Sequence, residues 1–230
     1  MFIGGSGFVM NRFQHCCKLC LLVNMHKIPR QMTSGLFTSR HVLSNDDKSV
    51  SRFPVPDMST LPQDLQHRFG NSKFIPNAFR ALAYRPVELR AFLFYNDVLM
   101  QGKGNITKAD KEMIAVTVSS ENKCLYCVIT HGALHRMQSK NPLLADQLSA
   151  NWKCADLDTR QKAILEFAME ICHSRSPSEE LYQKLYDQGL TQDDAWDIGT
   201  IAAFISFSNR LAHLTEMKPN EEFHYIGRAS

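Results

Sequence analysis

The chain has 230 residues, 44% hydrophobic and 21% charged, with a formal net charge of +3. That balance suits one globular domain with a sizeable core and an appended segment. No apolar run reaches the ~20 residues that cross a bilayer, and the charge is too small to point to nucleic acid. With 11 Gly and 9 Pro the chain is neither collagen-like nor Pro-rich, and seven cysteines are too few for a disulfide-stapled secreted module.

The basic charge gathers at the N-terminus. Residues 1–52 hold seven bases against two acids, Asp46 and Asp47, and the first 45 residues hold no acid. With its Ser, Thr and Arg and a weakly amphipathic stretch from Phe8 to Met25, this segment has the composition of a mitochondrial transit peptide. The apolar stretch Leu19 to Val23 is short for a secretory signal and is interrupted by Lys18 and Asn24. Residues 1–50 are thus expected to be a basic, disordered leader and residues 51–230 a folded domain. The expected location is the mitochondrion, otherwise the cytoplasm.

From Phe53 onward the chain reads as helices, each opened and closed by its own signals. Pro86 begins a helix through Leu89, Phe92, Leu93 and Leu99, which Gly102 and Gly104 end. Thr107 with Asp110 forms a capping pair for a helix through Met113, Ile114 and Val116 to Val118. Asn122 is placed to cap the next, through Cys124, Cys127, His131 and Leu134. Asp156 or Asp158 opens a helix with Ile164, Phe167, Ala168 and Ile171 at helical spacing. Ser176, Pro177 and Glu179 start a short one that Gly189 stops. Thr191 with Asp194 caps a last, long helix through Trp196, Ile198, Ile201, Phe204 and Leu211. No stretch alternates with period two. The expectation is an all-α bundle of about six helices, in which Trp196, Phe204, Phe207, Phe92 and Phe94 serve the core or oligomer contacts.

Cys16, Cys17 and Cys20 fall in the leader, Cys154 stands alone, and Cys172 lies in an apolar helix, where a thiol is ordinarily buried and inert. Cys124 and Cys127 differ. They occupy the start of a predicted helix, where free N–H groups and the helix dipole favour a thiolate. His131 follows Cys127 by four residues, so its ring shares that face and can exchange a proton with the sulfur. Glu112 reaches the same place if its helix packs antiparallel across the Ser119–Glu121 turn. A Glu–His–Cys chain of this kind is an activated nucleophile.

Glu112, then Cys124-x-x-Cys127-x-x-x-His131, resembles the signature of the alkyl hydroperoxidase D-like (AhpD-like) proteins of the carboxymuconolactone decarboxylase superfamily. The flanks Phe74-Ile75-Pro76-Asn77-Ala78-Phe79-Arg80-Ala81 and Ser208-Asn209-Arg210-Leu211-Ala212 are similar to its peroxidase-related branch, and the resemblance spans roughly Pro56 to Met217. It implies an all-helical fold that assembles into homo-oligomers and reduces hydroperoxides with thiols. Carried over, Cys127 is the peroxidatic thiol, Cys124 its resolving partner, His131 the proton-transfer residue and Glu112 its holder. Where the prototype has a second histidine before the second cysteine this chain has Tyr126, a candidate proton relay whose phenol cannot act as an imidazole base near pH 7. The superfamily's decarboxylases lack the cysteine pair.

No Gly-rich phosphate loop or dinucleotide fingerprint is present, so no cofactor is expected, and electrons would come from a protein or lipoyl dithiol. One zinc ion cannot collect all of Cys124, Cys127, His131 and His135, because on one helix the first and last stand roughly 16 Å apart and zinc–ligand bonds are about 2 Å; a three-ligand or intersubunit site is the form of metal site left. His135 reads as a surface or helix-end histidine. Two alternatives stay open: a scaffold that kept the fold without turnover, and a thiol–disulfide exchanger that never meets peroxide.

Overall fold

A computed structural model describes residues 50–228 apart from 71 and 73. The expected leader up to residue 49, with its three cysteines and the import reading, lies outside the described residues. Among those described there are nine α-helices and no strand: α1 (Gln63–Phe69), α2 (Asn77–Leu82), α3 (Pro86–Gln101), α4 (Lys108–Glu121), α5 (Leu125–Ser139), α6 (Leu144–Asn151), α7 (Thr159–Cys172), α8 (Glu179–Asp187) and α9 (Gln192–Thr215). The all-helical expectation holds.

The strongest start signals act as expected. Thr107/Asp110, Asp158/Gln161 and Thr191/Asp194 are complete capping boxes, each side chain accepting the other residue's backbone N–H. The three helices not anticipated, α1, α2 and α6, have six to eight residues and no side-chain hydrogen bond from the N-cap residue itself. Too short to form alone, they are held by burying Leu65, Ala81, Leu144, Ala145 and Leu148.

Helix α4 is the axis of the domain. Met113 to Ser119 are all buried, and α5, α6, α7 and α9 pack around it. A helix apolar on every side belongs in the middle of a bundle. Lys111 on α4 is also buried, and its Nζ donates to the carbonyls of Leu99 (2.7 Å) and Gly102 (2.8 Å), closing the end of α3. Arg160 of α7 reaches both carboxylate oxygens of Asp110 at 3.1 Å. At the N-terminal edge, Arg52 N–H donates to Thr215 O (2.8 Å) and Lys218 N–H to Val50 O (3.0 Å), tying the start of the domain to the end of α9.

His135 corrects the sequence reading. It is not at the surface but 1% exposed on α5, its Nδ1 has no hydrogen-bond partner, and burial pushes its pKa down to about 4. The folded state thus resists a proton that the unfolded chain takes up near 6.5, so stability falls as pH drops from 6.5 towards 4. The expected loss between pH 7 and pH 5 is about 2 kcal/mol from this residue. Urea midpoints at the two pH values check it: His135→Leu should narrow the difference between them, and an unchanged difference would assign the acid sensitivity elsewhere.

Candidate active site

The turn between α4 and α5 builds the site. Asn122 ends α4 rather than capping α5, Lys123 adopts a left-handed conformation (φ 56°), and Cys124 becomes the N-cap of α5. Cys124 N–H donates back to Ser119 O at 2.9 Å, which reverses the chain. Counted from that bond, Glu112 is seven residues before Ser119 and His131 seven after Cys124. Seven residues rise about 10.5 Å on either helix, so the two side chains arrive level. His131 Nδ1 and Glu112 Oε2 are 2.7 Å apart, their side chains only 15% and 12% exposed. An ionised carboxylate can only accept, so Nδ1 carries the proton and Nε2 is left for chemistry.

The same turn brings the thiols together. An N-cap side chain reaches the third residue of its helix, and here that residue is Cys127. Each cysteine is 2% exposed. Ala78, Ala81 and Leu82 of α2, Ala212 of α9, Met217 and Tyr126 surround them. The two sulfurs do not ionise alike. The Cys127 thiol, donating to the Cys124 sulfur, pulls the Cys124 pKa down to about 6 against the opposing effect of burial, helped by the Cys127 backbone N–H, the His213 charge and the Asn209 amide. Cys127 is pushed up, first by that hydrogen bond and then by burial. The resting pair is therefore a Cys124 thiolate with a Cys127 thiol donor, a division that spacing alone does not reveal. Alkylation of the Cys124 peptide by iodoacetamide, followed by mass spectrometry, should rise with a midpoint near pH 6. In Cys127→Ala, which removes the donor, the midpoint should move upward; a midpoint unaffected by that change would remove the thiol as its cause.

Of the expected site residues, the structure joins Glu112 of α4 to His131 of α5 and sets Cys124, the N-cap of α5, beside Cys127 in its first turn. Tyr126 behaves otherwise. Its hydroxyl accepts the Ala78 N–H at 3.0 Å, and burial pushes its pKa up to about 12. A phenol so held keeps its proton; it fastens α2 over the thiols and is poorly suited to a relay. Asn209 on α9, to which spacing assigned no chemistry, is fully buried. Its Nδ2 donates to Ser119 Oγ (2.9 Å) and its Oδ1 accepts from Asn122 Nδ2 (3.0 Å). It thus pins the end of α4 where the turn begins, and its amide favours ionisation of both thiols. The available signal was an amide on an apolar helix, since a buried amide demands partners. Cys172 is buried, as expected, and burial raises its pKa. Among the described residues no three His, Cys, Asp or Glu side chains converge as metal ligands do.

Residues 86–151 match the carboxymuconolactone decarboxylase family. A solved alkylhydroperoxidase AhpD core from Ralstonia eutropha, an uncharacterized peroxidase-related protein, is 45% identical, with a TM-score of 0.76 over 78% of this chain and 97% of its own. The chain belongs to the AhpD-like carboxymuconolactone decarboxylase family. An uncharacterized peroxidase-related protein from Silicibacter sp. is 36% identical, with a TM-score of 0.72 over 77% of this chain and 96% of its own. The debrominase Bmp8, at 20% identity and a TM-score of 0.62 over 76% of this chain and 93% of its own, shares the AhpD-like fold. No curated protein matches the sequence.

Proposed function

We propose that this AhpD-like protein is a thiol-dependent peroxidase that reduces hydroperoxides through a Cys124–Cys127 disulfide cycle. The observation that carries the reading is the pairing of a lowered-pKa thiolate at Cys124 with a thiol donor at Cys127, one turn from a carboxylate-held imidazole. As Cys127 attacks the terminal peroxide oxygen, its proton passes to the Cys124 thiolate and the O–O bond breaks. His131 hands a proton from solvent to the departing alkoxide or hydroxide. Cys127 is then a sulfenic acid. The Cys124 thiol attacks it, the S–S bond forms, and hydroxide leaves with the thiol proton as water. The sum is one peroxide and two thiols converted to one alcohol or water, one water and one disulfide. An external dithiol returns the two electrons by exchange through a mixed disulfide.

Burial of both sulfurs, each 2% exposed, favours this reading over exchange with a folded partner's dithiol, which is far bulkier than a peroxide. For the same reason the reductant is a dithiol borne on a slender arm, such as a lipoyl group. The test is one equivalent of peroxide added to reduced protein. The expected result is consumption of that equivalent and a loss of two hydrogens on the peptide carrying both cysteines. Disulfide formed only with oxidised dithiols would make the protein an exchanger. A pair that stays reduced under both treatments would leave a scaffold.

A further inference from the structure

Cys124 and Cys127 are each 2% exposed, so whatever reacts with the pair must first be let in. The walls around the sulfurs are unequal. Helix α5 carries the sulfurs themselves, and α9 is 24 residues long and anchored by Ile198, Ile201, Phe204 and Ile205, all buried. Helix α2 has six residues and no side-chain hydrogen bond from its N-cap residue, yet it supplies Ala78, Ala81 and Leu82 to the cover. Too short to form alone, it is the wall that costs least to move.

The two ends of α2 are held differently. From Phe79 onward it is seated by apolar contact: the Phe79 ring lies 5.9 Å from that of Phe69 at the end of α1, and Ala83 is buried with Leu61, Leu65 and Leu89. At the N-terminal end the hold is polar. Ala78 N–H donates to Tyr126 Oη at 3.0 Å, Asn77 N–H to Asn220 Oδ1 at 2.8 Å, and Asn77 Nδ2 to Lys218 O at 3.0 Å. Such hydrogen bonds exchange for water at small net cost, whereas apolar contacts have no replacement in water. Lys218 and Asn220 belong to the segment that follows α9, and that segment is itself tied down. Arg136 of α5 donates to Phe223 O at 3.0 Å and Ile226 O at 2.9 Å, and Arg228 donates to both carboxylate oxygens of Asp146 on α6, at 2.8 and 3.0 Å. The C-terminal segment thus offers the free end of α2 a fixed catch.

We infer that α2 is a gate over the Cys124–Cys127 pair, pivoting about Phe79–Ala83, and that the bonds to Tyr126 and Asn220 set how bulky a reagent reaches the sulfurs. In the disulfide cycle proposed above, on which this role rests, Tyr126 and Asn220 are specificity-determining residues. With α2 latched, a folded protein's thiols are kept out; with its first turn lifted, the arm of a small dithiol reaches the disulfide. That dithiol gives up two electrons and two protons, its own S–S bond forming as the Cys124–Cys127 bond breaks.

Labelling of the reduced full chain with fluorescein maleimide, a bulky probe, at pH 8 tests the gate, with each cysteine peptide followed by mass spectrometry. Cys124, with a pKa of about 6, is already ionised there, so its rate reports access rather than ionisation. Asn220→Ala and Tyr126→Phe should each raise that rate about five-fold, the change in population that one hydrogen bond of ordinary net strength controls. Cys172, buried on α7 in a separate apolar cluster, is the internal reference and should keep its wild-type rate. A Cys172 rate that rises in step with that of Cys124 overturns the inference, because access then comes from unfolding of the whole domain. Cys124 labelling unchanged in either variant overturns it too. The gate and the cycle fail separately. Faster labelling in a protein whose pair peroxide does not oxidise keeps the gate and removes the peroxidase; a disulfide formed by peroxide, with labelling unaffected by the variants, does the reverse.

Discussion

Cys127→Ser is expected to bring peroxide consumption down to the rate of a free thiol, a loss of at least about 10³-fold, because a hydroxyl near neutrality supplies almost none of the anion that a thiol does. Cys124→Ser should differ in kind. It removes the resting thiolate and the resolving sulfur but leaves Cys127 able to attack once, so turnover stops after one slow equivalent. Cys127 is then left as a sulfenic acid that dimedone labels. The electrostatics make the comparison sharp, since the more acidic thiol is Cys124 while the family resemblance makes Cys127 the nucleophile. Dimedone on Cys124 of the Cys127→Ser protein would transfer the attacking role to the N-cap sulfur. Both serines are close in size to cysteine, and a urea midpoint near that of the wild type confirms that the bundle is intact.

The second large effect falls on the Glu112–His131 pair. His131→Ala should lower the rate of peroxide reduction by about 10²–10⁴-fold, the usual worth of a positioned acid–base group. Added imidazole should restore part of that loss, which it would not do for a side chain that only fills space. Glu112 touches no reacting atom and is a positioning residue. Glu112→Gln keeps an acceptor for Nδ1–H but replaces a charge-assisted hydrogen bond with a weaker neutral one, so a loss of about ten-fold is expected. Glu112→Ala releases the ring as well and should approach His131→Ala. If Glu112→Ala and His131→Ala both left the rate within two-fold of the wild type, the relay would be wrong and only the sulfur pair would stand.

Much of this was legible because the informative signals are local. A capping box satisfies its own N–H groups, so Thr107/Asp110 and Thr191/Asp194 announced α4 and α9 whatever surrounds them. The Cys-x-x-Cys spacing made the sulfurs neighbours for the same reason. The short helices α1, α2 and α6 carry no comparable signal, because their stability comes from the core they touch. Nor could spacing show that Asn122 closes α4 while Cys124 opens α5, since that depends on the left-handed turn at Lys123.

Sequence alone determined the all-helical class, the place of the thiols at a helix start, and the possibility that Glu112 and His131 meet, because each follows from the pitch and free N–H groups of one or two helices. Only the tertiary structure decided how the two sulfurs share their proton, that Tyr126 ties down α2, that His135 is buried, and that Asn209 braces the turn. Those outcomes depend on what distant segments place beside each group: burial raises or lowers a pKa according to charge, and a buried polar atom takes whichever partner the fold supplies.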